Sequence, residues 1–206
     1  MIGRSIKKLG GLVSVRRLDG TKPDGPVIVG NTLPDDMHAV SIGIDTSPST
    51  LAAGAKKVIG EGTKKLVDTV GGHPLLSRQV ELAVYGFGQS TPVKCYQSFT
   101  AVSRFEFRGV PDVSWTMLYS LYAQMVDDTL VHVNRLGSAH DCEVRASWIF
   151  IFSDFQAHDD EARDRALAAK EKATERGVNV FLMGCGEAVD MKTAEELSQR
   201  ERPVVM

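Results

Sequence analysis

The chain has 206 residues, 43% hydrophobic and 24% charged, with a formal net charge of -2. That length suits one domain with an extension, and so small a net charge gives no bulk electrostatic argument for a nucleic-acid partner. No apolar run approaches the roughly 20 residues of a membrane span, and Leu9-Gly10-Gly11-Leu12-Val13 is too short for a signal peptide. Cys95, Cys142 and Cys185 are odd in number, far apart and without CxxC spacing, which suggests neither a disulfide framework nor a zinc site. Free cysteines fit a reducing compartment, so the expected location is cytoplasmic.

Residues 1–36 are basic and rich in turn signals: Arg4, Lys7, Lys8, Arg16 and Arg17, then Asp19-Gly20, Pro23-Asp24-Gly25-Pro26 and Asn31-Thr32-Leu33-Pro34. They read as a solvated extension, with Val27-Ile28-Val29 a short edge strand. Met37 to Ile44 is nearly continuous in apolar character, as a strand covered on both faces is. Leu51 to Val70 carries helical spacing and ends at Gly71-Gly72. Gln79–Phe87 and Val93–Phe99 read as a strand pair joined in a hairpin. Thr116 opens a helix to about Arg135, and Gly137 to Glu143 reads as a polar loop.

Ser147-Trp148-Ile149-Phe150-Ile151-Phe152 is the most apolar strand and runs into Ser153-Asp154. A helix over Asp159–Arg176 follows, then a strand over Val178–Met183, a short helix over Asp190–Gln199 and a last strand over Arg202–Met206. Strands alternating with helices predict an α/β fold: a doubly wound, mainly parallel sheet with one antiparallel edge hairpin strand and helices on both faces, Rossmann-like in outline.

Ligands of such folds sit beyond the C-terminal ends of the strands. Two strands end there in aspartate, at Asp45 and Asp154, and Thr116 starts a helix from the same edge. Asp45, Ser47 and Ser49 alternate along one loop. Two carboxylates and three hydroxyls suit a hard, oxygen-seeking cation. A strand end followed by a helix-capping serine explains the first loop equally well when it is read alone.

The three loops together resemble the von Willebrand factor A (vWA) family and its metal-ion-dependent adhesion site (MIDAS). The pattern Asp-x-Ser-x-Ser stands as Asp45-Thr46-Ser47-Pro48-Ser49, the second-loop Thr as Thr116 and the third-loop Asp as Asp154. The resemblance covers residues 37–206. Arg78-Gln79-Val80-Glu81-Leu82-Ala83-Val84-Tyr85-Gly86-Phe87-Gly88, after His73-Pro74-Leu75, and Val178 to Gly186 look like the bacterial stand-alone branch of tellurite-resistance and stress-response systems. The resemblance implies Mg²⁺ (or Mn²⁺) bound by Ser47, Ser49 and Thr116, with Asp45 and Asp154 acting through bound water. It also implies a partner protein presenting Asp or Glu to the metal, with kinase-like or phosphatase proteins among the candidates, and no catalytic residue. Three positions depart from the family. Pro48 and Phe155 stand where Gly is usual, and the second loop lacks its glycines. Relatives usually continue into a final helix after the position of Met206, so one sheet face is expected to lack cover.

Two other classes compete. A haloacid-dehalogenase-type phosphohydrolase also ends its first strand in aspartate but needs a second aspartate where Ser47 stands, and no GxxxxGK[ST] phosphate loop is present. A structural assembly subunit would use the same fold without metal. The histidines (His38, His73, His132, His140 and His158) read as surface residues. Trp115, Tyr119 and Tyr122 read as core, with Trp115 in a position to border the metal face. Asp127-Asp128 and Asp159-Asp160-Glu161 read as solvated faces or caps.

Overall fold

The computed structural model describes residues 6–9, 12–15, 36–52, 54–113, 115–140, 143–186, 188–199 and 204–205. The chain divides into two compact units, Met1–Leu33 and Pro34–Met206. In the first, β1 (Ile6–Leu9) pairs antiparallel with β2 (Leu12–Val15). The turn-rich composition predicts no pairing here. The reason for the difference is local: Gly10-Gly11 alone separates the two tetrapeptides, and two glycines suit the tight loop of a hairpin. The strand expected at Val27–Val29 lies outside the described residues.

In the second unit six strands form one sheet in the order β5-β4-β3-β6-β7-β8. They are β3 (Asp36–Ile44), β4 (Val80–Phe87), β5 (Val93–Ala101), β6 (Glu143–Ser153), β7 (Val178–Gly184) and β8 (Val204–Val205). Strands β4 and β5 are antiparallel, and every other neighbouring pair is parallel. One face is covered by α4 (Leu118–His140), α5 (Arg163–Glu175) and α6 (Met191–Leu197). Helix α2 (Ala55–Gly71) packs on the other through Ile59, Val67 and Val70. There Trp148, Phe150 and Phe152 stay half-buried, and Phe150 stacks on Phe181 with ring centroids 5.0 Å apart.

Strand β3 shows how the period of two builds both faces. Val40, Ile42 and Ile44 face α2, while the small Ala39, Ser41 and Gly43 let α4 come close. A Cβ at Gly43 would lie 2.6 Å from the Met125 sulfur, so any larger residue here would require the Met125 side chain to shift. Ser41 exchanges a 2.9 Å hydrogen bond with Thr129 of α4, which satisfies both buried hydroxyls.

Several element boundaries differ from the sequence reading. The helix expected from Leu51 is split into α1 (Pro48–Ala52) and α2 by Gly54, which takes a left-handed φ of 69°. A one-turn helix, α3 (Leu76–Gln79), precedes β4. Helix α4 continues through the expected loop to His140, because Leu136 is still buried and extends the apolar stripe.

The chain leaves β3 for β4 on one side and returns to β6 on the other. Loops following β3 and β6 therefore part at a common boundary, the switch point where doubly wound folds bind ligands. Ile44 is in register with Phe152, so Asp45 emerges beside Ser153.

Candidate metal centre

The first loop begins inside the sheet. The Asp45 N–H still donates to the Phe152 carbonyl at 2.9 Å, so the ladder holds the residue that leaves it. Its side chain is fully buried. Oδ1 accepts the Ser47 N–H at 2.8 Å, and Oδ2 accepts the Ser153 hydroxyl at 2.6 Å. Burial pushes the Asp45 carboxyl above its ordinary range, against the bonds from Ser153 and Ser47 and with help from the neighbouring Asp154 charge. The Ser47 hydroxyl lies 3.3 Å from that of Ser49 and 3.4 Å from that of Thr50. Pro48 is the first residue of α1, where a missing N–H costs nothing, so this departure from the family pattern fits the loop.

The third loop follows β6 directly. Asp154 accepts the Gln156 N–H on Oδ1 at 3.1 Å, and its carbonyl accepts the Asp190 N–H at 2.8 Å. Its other oxygen, Oδ2, is buried with no hydrogen-bond partner among the described residues. Phe155 has φ 61°, the one positive φ outside glycine among the described residues, and is 0% exposed. A left-handed non-glycine residue costs about 1–2 kcal/mol, and burying a phenylalanine side chain returns about 2–3 kcal/mol. Phenylalanine thus takes a left-handed conformation that glycine adopts more cheaply, with its ring in the core cluster that includes α4.

Thr116 is buried, and its hydroxyl too has no hydrogen-bond partner among the described residues. Its carbonyl accepts the His158 N–H at 2.9 Å, which joins the second loop to the third. The helix starts two residues later than expected, at Leu118. Its first turn is capped from outside: Asp159 accepts the Tyr119 N–H at 3.2 Å and the Ser120 N–H at 2.8 Å. Of the two readings of Asp159, solvated face or cap, the cap holds: it is fully buried and takes up N–H groups of α4 that have no partner within that helix. Trp115 is 39% exposed beside Thr116, so it borders this edge rather than filling the core, whereas Tyr119 and Tyr122 are buried as expected. The Thr46 hydroxyl donates to the Pro111 carbonyl at 2.6 Å and anchors the first loop from a further segment.

Asp45, Ser47, Thr116 and Asp154 are therefore buried at one edge of the sheet, with Ser49 exposed above them. Among the described residues no group of three or more His, Cys, Asp or Glu side chains is placed to hold a metal. A cation here would rest on hydroxyls and two carboxylates, an all-oxygen set that fits a hard ion, with the unpartnered Thr116 and Asp154 oxygens available to it. The Cys185 thiol is pushed up to about 11, by burial first and then by Asp45 and Asp154, and so stays protonated. Ser153 and Asp159 escape sequence reasoning as site residues because their partners come from other segments. The histidines also need a correction: His132 is 7% exposed, lies 2.7 Å from Glu81 and stacks on Phe99 at 3.9 Å.

No family model matches the chain, and no curated protein does. Solved structures do match. Proximal thread matrix protein 1 from the mussel byssus superposes with TM-score 0.56 at 14% identity, over 83% of this chain and 43% of its own. The ArnB paralog VWA2 from Sulfolobus acidocaldarius gives 0.53 at 15%, over 82% and 41%. Manganese-loaded TRAP protein from Plasmodium vivax gives 0.50 at 10%, over 79% and 63%. The chain thus spans less than two thirds of the length of each. At these identities the likeness is one of fold: the chain has the α/β fold of vWA domains.

Proposed function

We propose that this chain is a metal-dependent protein-interaction module. Ser47, Ser49 and Thr116 would hold Mg²⁺ or Mn²⁺ through hydroxyls, with Asp45 and Asp154 as the nearby carboxylates. The observation that carries the reading is the pair of buried, unpartnered oxygens, Thr116 Oγ1 and Asp154 Oδ2. An unsatisfied buried polar group costs about 1–3 kcal/mol, so two at one edge of the sheet call for a ligand. A bound cation would supply an electrophilic position for a partner's Asp or Glu carboxylate. The hydroxyls carry no charge and leave that position attractive to an anion. Exposed Trp115 offers the partner apolar contact beside it.

The reading assigns binding and no catalysis. A cytoplasmic bacterial stress-response or tellurite-resistance-like system, with kinase-like or phosphatase partners, is its finer form. That form rests on the resemblance of His73-Pro74-Leu75, Arg78 to Gly88 and Val178 to Gly186. Manganese is named for the TRAP neighbour and is a property of that protein.

A second reading, a structural subunit without metal, is favoured by Asp45, whose two oxygens are already hydrogen-bonded within the protein. Calorimetric titration of the whole chain with Mn²⁺ separates the two. The expected result is saturable binding, reversed by EDTA and lost in Asp154→Ala with the far-UV spectrum unchanged. No binding by the wild-type chain would sink the metal reading and leave the metal-free one. Phosphate release from a generic ester would favour an enzyme instead.

A further inference from the structure

We propose that Ser153 is a positioning residue of this site, one that fixes Asp45 against the third loop and so sets the fit of the cation. The inference rests on the metal-binding reading above. Ser153 is the last residue of β6 and is fully buried. Its hydroxyl donates to Asp45 Oδ2 at 2.6 Å, a short bond to a carboxylate and the strong kind. The same oxygen accepts the Phe155 N–H at 2.9 Å. Its carbonyl accepts the Cys185 N–H at 2.9 Å. One residue thus joins the end of β3, the third loop and the end of β7.

Both ends of this relay need it. A carboxylate turns readily about its last torsion, which is broad and roughly two-fold. Ser47 holds one Asp45 oxygen and Ser153 the other, so the plane of the carboxylate is set from two sides. Phe155 is the residue with the left-handed backbone, and its N–H points back to Ser153 while its ring is held in the core. Asp154 lies between these two residues, so the same bond that shapes the loop places its unpartnered Oδ2. Removing the hydroxyl would leave the Phe155 N–H unpaired and one carboxylate oxygen without its donor.

The test is Mn²⁺ affinity by calorimetry on the full chain, with the thermal midpoint in EDTA as a second reading. Ser153→Ala is expected to weaken binding about 10–100-fold, the range seen when groups orienting metal ligands are removed. Ser153→Thr, which keeps the hydroxyl, should restore it to within about threefold. Ser41→Ala, which breaks the buried Ser41–Thr129 bond away from the loops, should lower the midpoint and leave Mn²⁺ affinity unchanged. Should Ser153→Ala not fold, Ser153→Cys fills the same space with a weaker donor and gains nothing at a hard cation. That variant too should lose affinity for Mg²⁺. Wild-type affinity in the Ala or Cys variant would overturn the inference while the metal reading stands. Absence of metal binding in the wild-type chain would overturn both.

Discussion

Two acidic places in this domain, one partly and one fully buried, handle their charge in opposite ways. At the antiparallel side, Glu81 of β4 meets His132 of α4, and that neighbour holds its carboxyl below the ordinary range. At the C-terminal edge, Asp45 and Asp154 have hydroxyl and amide donors but no cationic side chain bonded to them among the described residues, and Asp45 is pushed upward. A charge that the fold compensates contributes to stability. At the second place the proposed cation would supply that compensation, and the unpartnered oxygens of Thr116 and Asp154 are buried at the same edge.

The sharpest way to break this contrast is to damage each place and read both stability and metal binding. His132→Ala leaves Glu81 unpaired and uncovers Phe99; it should cost about 2–3 kcal/mol in urea unfolding, equally with EDTA and with Mn²⁺. Thr116→Val should do the reverse. It replaces an unsatisfied hydroxyl by a methyl of the same size, so stability in EDTA should hold or rise by up to about 1 kcal/mol. Mn²⁺ affinity in the same variant should fall at least about tenfold. A variant that lost stability and kept the metal would remove Thr116 from the site.

The smallest effect is one of pH. The folded-state pKa of Glu81 is lowered, so its contribution is full above the ordinary value of 4.5 and is lost as pH falls below it. The stability gap between the wild-type chain and Glu81→Gln should therefore be present at neutral pH and close in acid. With partial exposure and solvent screening it is about 1 kcal/mol. A gap that stayed constant through this window would mean that His132 packs there without acting on the charge.

Much of the fold was legible because burial on both faces writes itself locally. The nearly continuous apolar run of Met37–Ile44 and the apolar run of Trp148–Phe152, followed by Asp45 and by Ser153-Asp154, located the sheet and its switch point at once. Asp45 and Asp154 could be placed at this edge for the same reason, since strand ends are positions in a pattern; that Ser47, Ser49 and Thr116 share a metal site with them is part of the proposal. What remained hidden was partnership across distance. Asp159 sits in an acidic run that looks solvated, and its partners are N–H groups 39 and 40 residues away. His132 has no local sign of Glu81, and Ser153 reads as a strand terminus until β3 is laid beside it. The β1–β2 hairpin was hidden for another reason: Gly10-Gly11 sat among so many turn signals that it carried no weight.

Helix α4 is held at two points, one of them Glu81. Asp159 grips its first turn, and Glu81 meets it at His132, about 20 Å further along at the usual helical rise. Gly43 seats the middle of the rod tightly on the sheet through Met125. A strut clamped at two points and bedded between them resists bending.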